Sequence, residues 1–426
     1  MNAFIPCLVM MTTTTALADW SFSGQAGPYI NDLGVPSSTV TQSQKVGTVL
    51  DLKLNYKFDS PWRFKSDLLI RTDFVARDPE ESFQFMPQNF YLQRKMGSFL
   101  FKAGYQTIAL DGPDIVNPAD IVNPKNWIDP TSPITMGSPG LSLSQEVDDW
   151  NWEVFYVPRQ TTPILPGEHS PWLPRKNRLP IESENTTILI PDNVEYDYMN
   201  AKELNNALNH NVTLKVQKKS ENLETQLLYY NGLNMSPFLK TQVQGTLLSL
   251  NPDVILVDSP VKLQPLHYRQ QAVAGTFLVP FESWAIRGGF NWLKPDSGDD
   301  LPKETTMMVF GFEKSFETSF GLVTGIVDYI RQERQDENQI SFLRSFFEEA
   351  VSAGVRVPYG EETSFLAGGM YDLVGSSSLL KFSAQHRLTN SWSMEAGAQF
   401  LQGPDDTLIG IYNRHDSYSL KLMFSW

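Results

Sequence analysis

Cysteine is almost missing from this 426-residue chain: Cys7 is the single one, and it lies within the first twenty residues. With that segment removed no thiol would remain. Disulfides, thiolate nucleophiles and cysteine-based zinc sites are then excluded, and an oxidising compartment poses no difficulty. Positive charge is scarce as well. The chain has 34 Lys and Arg against 48 Asp and Glu, a net charge of -14. A phosphate-binding surface needs cations, so nucleic acid is not expected as a partner. Beyond residue 20 there is no run of about 18 apolar residues, which excludes a transmembrane helix. Glycine (27) and proline (28) occur without a period, so collagen-like and low-complexity readings fail.

Catalytic signatures are missing too. The five histidines, His169, His210, His267, His386 and His415, are scattered, and no GxSxG, HExxH or P-loop occurs. A serine cluster at 374–380 with His386 is the nearest approach to a hydrolase, but serines in a loop usually just meet water. "PDSGDDL" (295–301) spaces Asp296, Gly298, Asp299 and Asp300 as a calcium loop would. It lacks the bidentate Glu that closes such a loop, and reads as an exposed acidic segment. No enzyme activity, cofactor or metal is expected.

What the chain does have is alternation. In "GTVLDLKLNYKF", Thr48, Leu50, Leu52, Leu54 and Tyr56 share one parity, and Asp51, Lys53, Asn55 and Lys57 the other. "WRFKSDLLIRTDF" sets Phe64, Leu68, Ile70 and Phe74 against Arg63, Lys65, Asp67, Arg71 and Asp73. "WNWEVFYV", "LLKFSAQHR", "WSMEAGAQF" and the closing "SYSLKLMFSW" repeat the pattern. Each segment runs for about ten residues with period two, the signature of a membrane β-strand. Short links at 59–61, 96–98, 147–149, 220–222, 281–283, 315–317, 359–362 and 389–391 alternate with longer ones, of which 110–139, 159–207 and 232–265 are very long. Tight periplasmic turns and long extracellular loops produce this rhythm, whereas a soluble sandwich mixes loop lengths at both ends.

The expected fold is therefore all-β: a closed antiparallel transmembrane barrel of about 18 strands. Hydrocarbon forces the closure, because every backbone polar group must find a partner there. "MNAFIPCLVMMTTTTALADW" reads as a signal peptide, with an apolar core from Phe4 to Met11 and Ala16-Leu17-Ala18 before a cut, although no Lys or Arg follows Met1. The organisation is then 1–18 signal peptide and 19–426 barrel, with the outer membrane as destination. Trp20, Trp62, Trp150, Trp284, Trp392 and Trp426 fall near short turns or termini, where an interfacial aromatic ring belongs. A last strand that ends on an aromatic resembles the signal read by the outer-membrane assembly machinery. That machinery, membrane lipid with lipopolysaccharide, and a small solute are the expected partners.

The inward parity collects Lys53, Lys57, Arg63, Lys65, Arg71, Lys102, Arg287, Lys381 and Arg387, with Lys215, Arg356 and Lys421. Fewer acids share it, such as Asp51, Asp67, Glu153 and Glu395. A pore lined in this way attracts anions. One loop stands out. Asp114-Ile115-Val116-Asn117-Pro118 repeats as Asp120-Ile121-Val122-Asn123-Pro124. Left outside, its four aliphatic side chains would face water. A constriction loop folded into the barrel mouth is expected, with Asp114, Asn117, Asp120 and Asn123 as its polar residues.

"NFYLQRKMGSFLFKAGYQTIALDGPDIVNPADIVNP" resembles a stretch of porin-like proteobacterial barrels akin to alginate-export-type porins. In that family a "GRQ…WG" segment leads into a "D-V-x-N-P-x-D" loop. Here Gly104-Tyr105-Gln106 replaces Gly-Arg-Gln, and no Trp follows. "YVPRQTTPILPGEHSPWLPR" (156–175) is similar to another of their loops. The resemblance implies an 18-strand barrel with an arginine-rich lumen. The expected function is a channel that passes small or anionic solutes by passive or facilitated diffusion. A transporter for hydrophobic compounds and, behind it, an outer-membrane hydrolase are the alternatives.

Overall fold

The computed structural model describes residues 20–34, 38, 41–174, 178–179, 186–236, 238–242, 244–250, 253–296, 301–319, 321–334, 347–404, 407, 409–413 and 415–426. Residues 1–18, expected to be a signal peptide, and most of the acidic loop 295–301 lie outside them.

Eighteen strands form one sheet. They are β1 (Trp20–Leu33), β2 (Gln44–Lys57), β3 (Trp62–Asp73), β4 (Phe83–Met96), β5 (Phe99–Gln106) and β6 (Ser138–Val147). Next come β7 (Trp150–Arg159), β8 (Asn209–Ser220), β9 (Leu223–Leu233), β10 (Arg269–Phe281), β11 (Trp284–Pro295) and β12 (Thr305–Thr318). The last six are β13 (Gly321–Arg334), β14 (Glu349–Tyr359), β15 (Thr363–Asp372), β16 (Ser378–Arg387), β17 (Trp392–Gln402) and β18 (Ser417–Ser425). Each strand pairs antiparallel with its chain neighbours, and β18 pairs back onto β1, so the sheet has no free edge.

Residues opposite one another in an antiparallel ladder share a face. Lys57 faces Arg63, Asn55 faces Lys65, Lys53 faces Asp67 and Val49 faces Arg71, so these residues all point inward. The other parity is apolar and open to the surroundings: Phe22, Val46, Phe90, Leu214, Phe312 and Phe382 are all exposed. Only a bilayer makes such an exterior favourable. At the short-turn end, outward aromatics form contacts such as Trp20 to Tyr56 at 4.0 Å and Trp392 to Phe424 at 5.1 Å.

At the seam Gln25 lies opposite Ser425, Ala26 opposite Phe424 and Tyr29 opposite Lys421. Trp426 N donates to Gly24 O at 3.2 Å, and Gly24 N to Trp426 O at 3.4 Å. Gly24 is needed here. A Cβ at that position would come within 2.5 Å of the Trp426 ring. One turn differs from the sequence reading. Ser315–Glu317 are still strand, β12 runs on to Thr318, and β13 begins at Gly321. Thr318 Oγ1 caps this hairpin by donating to Gly321 O at 2.7 Å, and Gly321 takes φ +128°, where a side chain would be strained.

The described parts of the long loops 160–208 and 234–268 build small sheets and a core of their own. Leu173, Ile190, Val194, Tyr196, Val257, Val261 and Leu263 form a separate buried cluster there.

Candidate functional site: a partitioned lumen

The segment after β5, residues 107–137, runs through the barrel and touches walls on both sides. Its asparagines explain the doubled pentad. Asn123 Oδ1 accepts from Ile108 N and its Nδ2 donates to Ile108 O, both at 2.9 Å. Asn117 Oδ1 accepts from Ala119 N at 2.9 Å, an Asx turn, while its Nδ2 reaches Leu110 O at 3.2 Å. Each pentad thus carries an amide that fixes backbone which no ladder satisfies.

On one side the segment is packed. Ile108, Ala119, Ile121 and Val122 are buried with inward-facing Phe155, Val157, Leu228, Tyr230, Ala272 and Leu293. Polar ties reinforce the contact. Lys215 Nζ donates to Ala109 O at 3.1 Å, Thr276 Oγ1 to Asp111 O at 2.8 Å, and Asn291 Nδ2 to Pro118 O at 2.8 Å. Asp114 lies 3.0 Å from Arg287 and Asp120 lies 2.8 Å from Lys125. On the far side the Thr131 hydroxyl, which donates to Asp129 Oδ1 at 2.6 Å, contacts the Gln399 side-chain amide at 2.8 Å, and Lys381 Nζ donates to Ser132 Oγ at 2.9 Å and to the Thr131 carbonyl. The sequence reading ended the loop at 124. The contacts at 131 and 132 lie beyond it, in "DPTSP" (129–133), where Pro130 and Pro133 stiffen a tip that carries no hydrophobic pattern.

The rest of the lumen at this level is a cavity of about 880 Å³. The segment lines it with Asp114, Ile115, Val116 and residues 128–134, and the wall contributes Tyr29, Arg71, Glu313, Arg356, Lys381 and Lys421 among others. Inward glycines make room. Gly354 and Gly368 sit opposite each other, and a Cβ on Gly354 would come 3.9 Å from Ile115 Cδ1. At the cavity's outer rim Trp172 packs 5.4 Å from Tyr412 and 5.7 Å from His415. His415 is wedged between Pro171 O (2.9 Å) and Tyr412 O (3.1 Å), and burial depresses its pKa.

The inward cations are not equivalent. Arg287 is 3% exposed; Asp328 grips its Nε at 3.3 Å and its Nη2 at 3.3 Å, and Glu313 and Asp114 share its Nη1. Lys102 lies 4.0 Å from Glu153, which binds Lys215 at 3.1 Å. Lys421 pairs with Glu395 at 3.1 Å and Lys53 with Asp51 at 3.6 Å. Lys57, Arg63 and Arg387 are exposed near the short-turn end, and Lys65 lies one register step further in. Arg71 stacks over the Tyr29 ring at 4.3 Å. Among the described residues, no carboxylate lies within salt-bridge distance of Arg71, Arg356 or Lys381, although Asp129 lines the same cavity and acts electrostatically on Lys381.

Sequence reasoning missed Glu313 and Asp328, the acids that neutralise Arg287, and the Gln399 contact. It also grouped Ser378 with His386. They stand at opposite ends of β16, eight residues apart, roughly 27 Å at strand rise, and His386 has outward parity beside Thr363. That pair makes no catalytic site.

No family model and no curated protein matches this chain. Solved structures do. OccAB3 of Acinetobacter baumannii superposes with a TM-score of 0.54 at 10% identity, over 96% of this chain and 100% of that one. OmpT, an outer membrane protein of Vibrio cholerae, in its in-vitro folded trimer form, gives 0.45 at 8% identity over 96% and 99%. A mutant of the Rh. blastica porin gives 0.43 at 9% identity over 96% and 100%. At these identities the likeness to OccAB3 is one of fold: this chain is a closed barrel of the kind found in bacterial outer membranes.

Proposed function

We propose that the protein is a porin-like channel of the outer membrane that passes small solutes by diffusion or facilitated diffusion and favours anions. One observation carries this reading. A closed barrel with an apolar exterior encloses a cavity whose lining includes Arg71, Arg356 and Lys381, none of them within salt-bridge distance of a carboxylate among the described residues. Fixed cations along a route raise the local concentration of anions and select for them. Segment 107–137 is the constriction, and Lys57, Arg63, Lys65 and Arg387 line its approach from the short-turn end. The alginate-export-type resemblance suggests an anionic polysaccharide. The departure at Gly104-Tyr105-Gln106 argues against carrying that substrate over. Tyr105 has outward parity, while Gln106 is buried and bonded to Gly140 O and Ser142 Oγ.

Planar bilayers test the proposal. Purified barrel should give discrete conductance steps and an anion-favouring reversal potential in a salt gradient. Replacing Arg63, Lys65, Arg71 and Arg387 by Gln should move that potential toward cations. Absence of steps would overturn the channel reading, and an unmoved potential would remove these residues from the path.

A further inference from the structure

We propose that solutes pass the constriction over Gly354 and Gly368, two bare backbone positions on β14 and β15, and that this pair, facing Ile115 and Val116 of the segment, sets the size limit of the channel. The inference rests on the channel reading above and names the part of that site which selects by size.

The place follows from where the segment touches the wall. One ladder row runs Glu313, Ile326, Gly354, Gly368, Lys381 from β12 to β16. At its far end Thr131 and Ser132 anchor the segment on Lys381. At its near end Arg287 of β11 holds Asp114 and Glu313 together. Behind the segment the lumen is packed by the cluster around Ile121 and Val122. The wall between the two anchors is thus where space remains, and its middle is the glycine pair. The cavity runs past that pair in both directions. Arg356 and Leu366 line it one register step toward the short turns, and Met370 one step toward the long loops.

Nothing in the protein itself demands glycine at these two positions. A Cβ on Gly368 would find Ala353 O at 3.4 Å and Gly354 Cα at 3.7 Å as its nearest neighbours. One on Gly354 would find Ala367 O at 3.7 Å and Ile115 Cδ1 at 3.9 Å. All are ordinary contacts, and neither glycine has a positive φ. Other inward glycines are forced: a Cβ would fall 1.7 Å from Thr72 O at Gly47 and 1.9 Å from Asp328 Oδ1 at Gly311. Glycine inside a strand weakens it, and its use there marks a close approach by another backbone or by a ligand. At 354 and 368 no backbone takes the space, which leaves it to a solute.

The facing rim explains the first half of the doubled pentad. Ile121 and Val122 are buried, but Ile115 stays 37% exposed and lines the cavity with Val116. Asp114 on Arg287 and the Asn117 Asx turn fix the backbone on both sides of this pair, so the gap has a set width. An aliphatic rim over bare backbone offers a solute little to bind, and the bore decides what passes.

The test uses the full barrel, with single-channel conductance in planar bilayers and liposome swelling in neutral sugars from a pentose to a trisaccharide. Gly368→Ala should change little, whereas Gly368→Trp should cut conductance to about half or less and slow the larger sugars more than the pentose. Ile115→Ala should admit larger sugars. Combined with Gly354→Val, it should return the limit toward that of the parent, a compensation that a merely structural effect does not produce. Gly368→Cys alters the wall least and guards against misfolding of the bulkier variants. Cys7, in the expected signal segment, is the sole other thiol, so a bulky thiol reagent should reduce the current of this variant alone. Ser417→Trp, beyond the Thr131 and Ser132 anchor, should leave the sugar limit in place. Parent-like current in both Gly368→Trp and labelled Gly368→Cys, or a larger loss from Ser417→Trp than from Gly368→Trp, would overturn the inference and leave the channel reading standing. A parent barrel without conductance steps would instead remove the channel reading on which it rests.

Discussion

Arg287 offers the sharpest energetic test of how this lumen is built. Its guanidinium is 3% exposed and Asp328 is fully buried, so Arg287→Met strands a carboxylate with no solvent and no counter-ion. Removing one partner of a buried pair costs about 3–5 kcal/mol, mostly from the charge left behind. The same guanidinium also meets Asp114, but Asp114 is 62% exposed. Asp114→Asn should therefore cost less than about 1 kcal/mol, the scale of a solvent-screened pair. The repair must be isosteric. Gly311, across the ladder, is so close that a Cβ there would fall 1.9 Å from Asp328 Oδ1. Arg287→Met combined with Asp328→Asn removes the orphan charge without adding bulk, and should recover about half or more of the loss. Urea titration of the barrel in detergent, followed by tryptophan fluorescence, reads all four proteins. If Arg287→Met stays within about 1 kcal/mol of the parent, or if the double variant is as unstable as the single one, the charge is not stranded and the argument fails.

Three further outcomes follow from the same structure. Leu52→Arg and Phe382→Arg, on the lipid parity, should each cost about 2–4 kcal/mol if near the midplane, and Ser383→Leu on the inner parity should cost less; equal costs in urea titrations would break the in/out assignment. Deleting Trp426, or Gly24→Val, which would drive a side chain into the Trp426 ring, should abolish heat-modifiable migration on gels, and normal migration would count against the seam described here. Replacing residues 114–124 by Gly-Ser should raise single-channel conductance, and Asp120→Cys should react slowly with a bulky external thiol reagent; fast labelling with unchanged conductance would sink the constriction.

Legibility in the sequence tracked how strongly the surroundings constrain each residue. Lipid tolerates only apolar side chains on one parity, so the strands around Leu52, Phe64, Phe382 and Leu420 announce themselves, and the link rhythm then yields eighteen. The turn placed at 315–317 slipped to the hairpin between Thr318 and Gly321 because Ser315 and Glu317 look like turn residues, yet sit near a membrane interface where polar side chains are allowed on either parity. Asp328 was hidden for a different reason. In "LVTGIVDYI" both parities are apolar, since Ile326 and Ile330 line the cavity while Val327 and Tyr329 face lipid, so alternation carries no sign there. The charge balance of the wall was the least legible. Arg287 and Lys102 have the inward parity of free pore charges, but their partners Asp328 and Glu153 stand on other strands and become neighbours only once registers are fixed. Counting inward bases therefore overstates a lumen's field. What acts on a solute is the subset left unpaired, and here Arg71 on β3, Arg356 on β14 and Lys381 on β16 line the same cavity together with Asp129 of the segment.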